Sequence, residues 1–351
     1  LEALAAFLEY SSVEHIPSLD TLVEHLLHRI VLAPWPNHEP ELDTEWIDDD
    51  SMPLPLRTRL GSLRVLTQWC CVQKKADLVP PVLKLLWILL GTGEVHRDQH
   101  IPLGVRSRLR LYAAQCILKL ATCDAYASLI LPRMGRLSYA LQDECFQVRM
   151  HLLHDLLLYL MRDELPTEFH AAIFLVAFDP EDEPRVQVAS YTRRLQVLPP
   201  IVRHERLERI IVRFLHLLAH HPDLNAESPQ TLCSFARYLE FYLACVACET
   251  NIGVLARFSA CVRTYIDLSL SEPSVENSRP LYAMAELAQF LIQRLADNHG
   301  WTIYPVDEEA PCPKDILRST GTIARSVLDG EVWELLQQQP RRHRDKKTKV
   351  A

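Results

Sequence analysis

Residues 141–153 read Leu-Gln-Asp-Glu-Cys-Phe-Gln-Val-Arg-Met-His-Leu-Leu, and residues 178–189 read Phe-Asp-Pro-Glu-Asp-Glu-Pro-Arg-Val-Gln-Val-Ala. In each stretch an apolar helical stripe ends at a polar turn opened by aspartate, and a new stripe starts a few residues later. Asp143 and Asp179 stand 36 positions apart, close to the period of about 40 residues that stacked two-helix repeats have. The aspartate suits the turn because its carboxylate can accept from the orphan N–H groups of a helix start. One turn on, Val148-Arg149 places valine in the core and directs arginine toward an aspartate of its own or a neighbouring turn.

Working outward, the same 3.6-residue periodicity fills the chain. Leu19, Leu22, Val23, Leu26, Leu27, Ile30 and Val31 form one stripe. Similar stripes run through about 56–73, 78–91, 105–121, 125–141, 146–161, 167–178, 184–197, 201–220, 230–248, 252–270 and 281–297. Breaks fall at Leu198-Pro199-Pro200, His221-Pro222-Asp223, Ser228-Pro229, Glu272-Pro273 and Arg279-Pro280. Helix pairs of this kind cannot bury their apolar faces alone and stack on their neighbours. The prediction is an all-α fold: a HEAT-repeat (armadillo-type) α-solenoid, a curved superhelix of about six antiparallel helix pairs over roughly 1–297, without a β-sheet. Only Trp301 to Val306 alternates in a strand-like way. Leu152, Leu153, Leu156 and Leu157 are expected in the core.

Composition excludes several classes. Of 351 residues, 48% are apolar and 23% charged, ample for a large core and far from a disordered chain. Glycine occurs nine times and proline 23 times. That scarcity of glycine counts against phosphate-cradling loops and tight hairpins. The formal net charge of −8 makes the body a poor coat for nucleic acid. Ten scattered cysteines read as small apolar residues of a reducing compartment. No secretory signal or membrane-length apolar run stands out, so the chain is expected to be soluble and intracellular. It begins without Met and is expected to be a piece of something longer.

Three regions are delimited: repeats over 1–300 with an acidic loop at 37–50, a C-terminal extension at 301–340 partly packed on the array, and a basic, disordered tail at 341–351. The loop carries Glu39, Glu41, Asp43, Glu45, Asp48, Asp49 and Asp50 without a basic residue. The tail carries Arg341, Arg342, Arg344, Lys346, Lys347 and Lys349, a nuclear-localisation or weak DNA-contact pattern.

Catalytic constellations are absent: there is no GxGxxG, GxxxxGK[ST] or GxSxG. His216-x-x-x-His220 has the spacing of a helical zinc pair, but Leu217 replaces the glutamate of HExxH, and no third ligand is evident beyond Asp223. Packing is the simpler reading, as it is for Cys245-x-x-Cys248, so neither a metal nor a catalytic residue is expected. What remains is surface. Arg106, Arg108 and Arg110 form one basic stretch; Arg193, Arg194, Arg203 and Arg206, extended by Arg209 and Arg213, form a second. They fit either internal ion pairs or a surface for an acidic peptide, a phosphorylated molecule or a nucleic-acid backbone.

Several blocks resemble one family in unbroken order over about 43–318. They are Asp43-Thr-Glu-Trp-Ile-Asp-Asp-Asp50, Ser107-Arg-Leu-Arg-Leu-Tyr-Ala-Ala114 with Ile117-Leu-Lys-Leu120, Gln142-Asp-Glu-Cys-Phe-Gln-Val-Arg149, Ile211-Val-Arg-Phe-Leu-His-Leu-Leu-Ala-His-His-Pro-Asp223, Leu281-Tyr282, and Cys312-Pro-Lys-Asp315. The series is similar to the C-terminal part of the cohesin regulators named for precocious dissociation of sisters, in a fungal form. The resemblance implies a non-enzymatic, chromosome-associated nuclear HEAT-repeat scaffold. It implies binding of the kleisin subunit of cohesin, cooperation with the releasing factor Wapl, and control of sister-chromatid cohesion and of cohesin release. Inositol hexakisphosphate is a ligand by resemblance only. The alternative is a HEAT-repeat nuclear transport receptor or another protein–protein scaffold, although no block resembles a region for binding the GTPase Ran.

Overall fold

A computed structural model describes residues 1, 4–5, 17–36, 44–74, 79–95 and 101–338. The basic tail and residues 37–43 of the acidic loop lie outside the described residues. The chain divides into two compact units, Leu1–Ile210 and Ile211–Ala351.

The first unit contains helices and no strand among its described residues. Its elements are α1 (Pro17–Leu26), α2 (Leu54–Gln73), α3 (Val79–Thr92), α4 (Leu103–Ala121), α5 (Asp124–Ile130), α6 (Met134–Ser138), α7 (Phe146–Met161), a twelve-residue 3-10 helix (Thr167–Phe178), α8 (Asp182–Gln196) and α9 (Pro200–Arg203), which runs into a π-helical turn, His204–Glu208. Prolines open several of them: Pro53, Pro102 and Pro199 each precede a first turn, where a missing N–H costs nothing. Helix α4 packs on α2, α3 and α7, and the 3-10 helix fills the space beside α7 and α8. That 3-10 segment is apolar all round from Ala171 to Ala177 and is buried all round to match. Leu152, Leu153, Leu156 and Leu157 are buried as the stripe requires.

The aspartate turns explain the period. Asp143 accepts from the Cys145 N–H (2.9 Å), and Asp179 from the Glu181 N–H (3.1 Å). Each also receives an arginine from a helix earlier in the chain. Arg110 of α4 grips Asp143 through two bonds of 2.7 and 2.8 Å. Arg149 of α7 reaches Asp179 at 2.9 Å and the Asp143 carbonyl at 2.8 Å. One guanidinium thus fastens two successive turns, and the Val-Arg dipeptide marks the fastening.

The second unit contains α10 (Ile211–Ala219), α11 (Pro229–Val246), α12 (Ile252–Cys261), α13 (Arg279–His299) and α14 (Gly330–Gln338). Helix α13 packs against α10, α11 and α12; α14 packs on α11. Ser228 caps α11 by accepting from the Thr231 N–H, and Gly300 ends α13 with a positive φ of 69°. The expectation of no sheet is corrected here. β1 (Tyr265–Asp267) and β2 (Leu317–Ser319) form an antiparallel ribbon in the register Tyr265↔Ser319, Ile266↔Arg318, Asp267↔Leu317. The stripe at 252–270 therefore stops being helical after Cys261 and a short 3-10 turn, and Trp301–Val306 takes no regular structure. Its strand partner lies some fifty residues away, beyond the reach of a local pattern. Buried Glu286 of α13 accepts from the N–H groups of Val327 and Leu328 and from Ser326 Oγ, which holds the segment before α14 in place. No helix among the described residues is long and apolar enough to cross a membrane.

Candidate functional site

The arginines singled out from sequence separate into two populations. Arg106 pairs with Glu94 at 3.0 Å and donates to the Thr92 carbonyl. Arg108 lies over the Trp46 ring at 3.9 Å and binds Asp49 at 2.7 Å, so an acid of the loop neutralises it. Arg110 is buried on Asp143. Arg203 faces Glu208 at 3.5 Å, Arg206 pairs with Asp163 at 2.9 Å, and Arg209 with Glu205 at 3.2 Å. Arg213, which helical spacing assigned to the same positive ridge, is buried on Asp315 in a two-bond pair of 2.8 Å each. These seven guanidinium groups have carboxylate partners within the chain. Sequence could not separate them, because most of the partners lie dozens of residues away.

Arg193 and Arg194 differ. Both are exposed at the end of α8, and neither has a carboxylate partner among the described residues. Arg193 Nε donates to the Ala189 carbonyl of its own helix, and Arg194 Nη1 meets the Met161 sulfur at 3.8 Å. Apolar side chains adjoin them in the open: Val197 is 84% and Ile201 74% exposed, with Val186 and Met161 also exposed. Positions 186, 193 and 197 share one helical stripe by spacing. The arrangement offers two planar guanidinium groups without a carboxylate partner among the described residues, beside exposed apolar side chains, a combination that fits a segment carrying both acidic and apolar side chains. Sequence alone identified the arginines; the hydrophobic half was missed because Val197 and Ile201 read as the ends of core stripes.

A second cluster lies in the other unit. His216 and His220, one turn apart at the end of α10, have ring centroids 4.5 Å apart. His216 Nε2 is 3.3 Å from Asp267 Oδ1, and His220 Nε2 is 2.6 Å from Asp267 Oδ2. Burial alone would raise the Asp267 carboxyl, but hydrogen bonds from both histidines outweigh it and hold it well below the usual carboxylate range. Burial lowers His216 despite the opposing pull of Asp267. The third residue proposed from sequence, Asp223, is not at this cluster: it is exposed, and its N–H donates to His221 Nδ1. Neither Cys245, buried in α11, nor half-buried Cys248 is in a disulfide among the described residues.

Comparison with known proteins follows from this geometry. A family model described as sister chromatid cohesion protein PDS5 matches residues 1–318. Among curated relatives, the sister chromatid cohesion protein pds5 of Schizosaccharomyces pombe is 25% identical over 311 residues, 87% of this chain and 25% of that protein. The PDS5 protein of Saccharomyces cerevisiae is 21% identical over 354 residues, 89% of this chain and 28% of that protein. The PDS5 homolog A of Danio rerio is 30% identical over 202 residues, 53% of this chain and 15% of that protein. The two yeast proteins match over more of the chain than the zebrafish one, in keeping with the fungal expectation. The chain spans about a quarter of the length of these yeast relatives. The match starts at residue 1, so it takes in the first forty residues that the motif series left out.

Proposed function

Because the chain belongs to the PDS5 family of sister chromatid cohesion proteins, we propose that it is a non-catalytic, chromosome-associated nuclear scaffold that regulates cohesin. In this reading it binds the kleisin subunit, works with the releasing factor Wapl, and controls both the maintenance of cohesion and the release of cohesin. The family match over residues 1–318 carries the reading; it also favours a cohesion role over the nuclear transport receptor considered from sequence.

Within the scaffold, the surface at Arg193, Arg194, Val197 and Ile201 is the proposed partner site. Its support is that these guanidinium groups lack carboxylate partners among the described residues, whereas Arg106, Arg108, Arg110, Arg203 and Arg206 have them. A linear acidic segment with apolar side chains would place its carboxylates on the two arginines and its apolar groups on the valine and isoleucine. The basic tail (Arg341 to Lys349) remains proposed as a nuclear-localisation or weak DNA contact.

Retrieval from nuclear extract by the immobilised chain tests the function: cohesin subunits are expected, and a set of Ran and transport cargo without cohesin would contradict it. The double charge reversal Arg193→Glu with Arg194→Glu tests the surface. Kleisin affinity should fall at least tenfold, about 1.4 kcal/mol, with an unchanged melting temperature because both side chains are exposed. Unchanged affinity would remove this surface from the proposal and leave the family reading intact.

A further inference from the structure

The geometry points to a divalent transition-metal site of the zinc class formed by His216, His220 and Asp267. Three observations carry it. First, the donor set is of the right kind and converges: two imidazole nitrogens and one carboxylate, their ligand atoms all within 4.8 Å of one another. Imidazole and carboxylate donors at three positions, with a fourth left open, are a recurrent zinc ligation.

Second, the spacing is close to what the ion needs. Ligand atoms about 2.0–2.2 Å from a tetrahedral ion lie about 3.3–3.6 Å from each other. His216 Nε2 and Asp267 Oδ1 are already 3.3 Å apart. His220 Nε2 lies 2.6 Å from the other oxygen, Oδ2, so a small shift of its ring brings the three ligand atoms around one ion. It is the more exposed of the two histidines and has the room to do so. The side toward exposed Ser269, whose Oγ lies 3.2 Å from His216 Nε2, leaves a fourth position for that hydroxyl or for water.

Third, the carboxylate is held from behind, as ligands in metal sites usually are. The Asp267 N–H donates to Ser278 Oγ at 3.0 Å, and Asp267 Oδ1 accepts from the Ser269 N–H at 2.8 Å. The first bond fixes the Asp267 backbone at the end of β1, and the second holds its carboxylate beside the histidines. An ion here would join α10 to the ribbon.

The test uses the full chain, freed of metal with a chelator and titrated with Zn²⁺. About one equivalent should bind tightly, and Co²⁺ in its place should give the visible bands of a tetrahedral nitrogen–oxygen site without the near-ultraviolet band of cobalt–thiolate. His220→Ala and Asp267→Asn should each weaken Zn²⁺ binding about 100-fold or more, whereas Asp223→Ala should not. Circular dichroism of His220→Ala, at the half-buried position, establishes that lost binding is not lost folding. Failure of the parent chain to retain Zn²⁺, or equal retention by His220→Ala and Asp267→Asn (which would put the ion on cysteines), overturns the site.

Discussion

Replacement of Arg149 by alanine tests the fastening of successive repeats. The side chain makes three kinds of bond at once: Nε to Asp179 Oδ2 at 2.9 Å, Nη1 to the carbonyls of Asp143 and Glu144 at 2.8 and 3.2 Å, and Nη2 to Glu181 Oε2 at 2.5 Å. Glu181 is solvated and its contact contributes little. The Asp179 side chain is 1% exposed, so removal of the guanidinium leaves a buried carboxylate without its counter-charge. Breaking such a pair from one side costs about 3–5 kcal/mol. The loss should be read as faster native-state hydrogen exchange at the amides of α7 and as a lower denaturation midpoint.

The pH dependence has a definite sign. Burial raises the Asp179 carboxyl above its ordinary value, against the lowering pull of Arg149; without Arg149 it rises further. The native variant then holds a proton that the unfolded chain has already released, so stability is gained as pH falls through the native value. The deficit of Arg149→Ala should therefore shrink between pH 7 and pH 5. Pairing Arg149→Met with Asp179→Leu should recover most of the stability. A deficit below about 1 kcal/mol at pH 7, or one that grows toward pH 5, would refute the reasoning.

Three further outcomes are expected. Cys123 is lowered to about 7, chiefly by the hydrogen bond from Cys71 and then by Thr122 and Lys119; its alkylation should be half-maximal near that pH and move upward in Cys71→Ala, and a parent midpoint above about 8.5 would exclude the pairing. Burial lowers His170 to about 4, with Nδ1 at 2.8 Å from the Thr167 carbonyl and Nε2 at 2.9 Å from the Tyr191 hydroxyl. Its ring resonances should therefore not titrate above pH 5, and the stability due to its neutral burial, complete above about 6.5, is lost as pH falls toward 4; a ring midpoint near 6.5 would refute this. Glu286→Ala removes the acceptor of Ser326, Val327 and Leu328, so limited proteolysis should cut within 320–330 faster than in the parent; an equal rate would show that the glutamate does not hold the segment.

Helix period, repeat spacing and core leucines were legible because each is a local property: the Asp143 turn and the stripe of α7 lie together within residues 143–161. Arg149 was read correctly for the same reason, since its partners sit in the turns at both ends of its own pair. What escaped depends on distant partners. Arg213 looked like an open cation until Asp315, 102 positions on, came to neutralise it. The His216–His220 pair lacked a third ligand until the ribbon brought in Asp267, and the ribbon itself pairs residues about fifty positions apart. Arg193 and Arg194 were legible as a cluster, but that neither meets a carboxylate among the described residues was not; the acids Glu208, Asp163 and Glu205 pair with Arg203, Arg206 and Arg209.

The most direct measurement is hydrogen exchange of the full chain with and without purified cohesin kleisin subunit. The expected result is a complex in which amides over about 186–201 are slowed, and in which Arg193→Glu with Arg194→Glu abolishes that slowing while leaving exchange in α7 unchanged. A chain that forms no complex, or one slowed only at sites away from 186–201 and indifferent to the charge reversal, would contradict it.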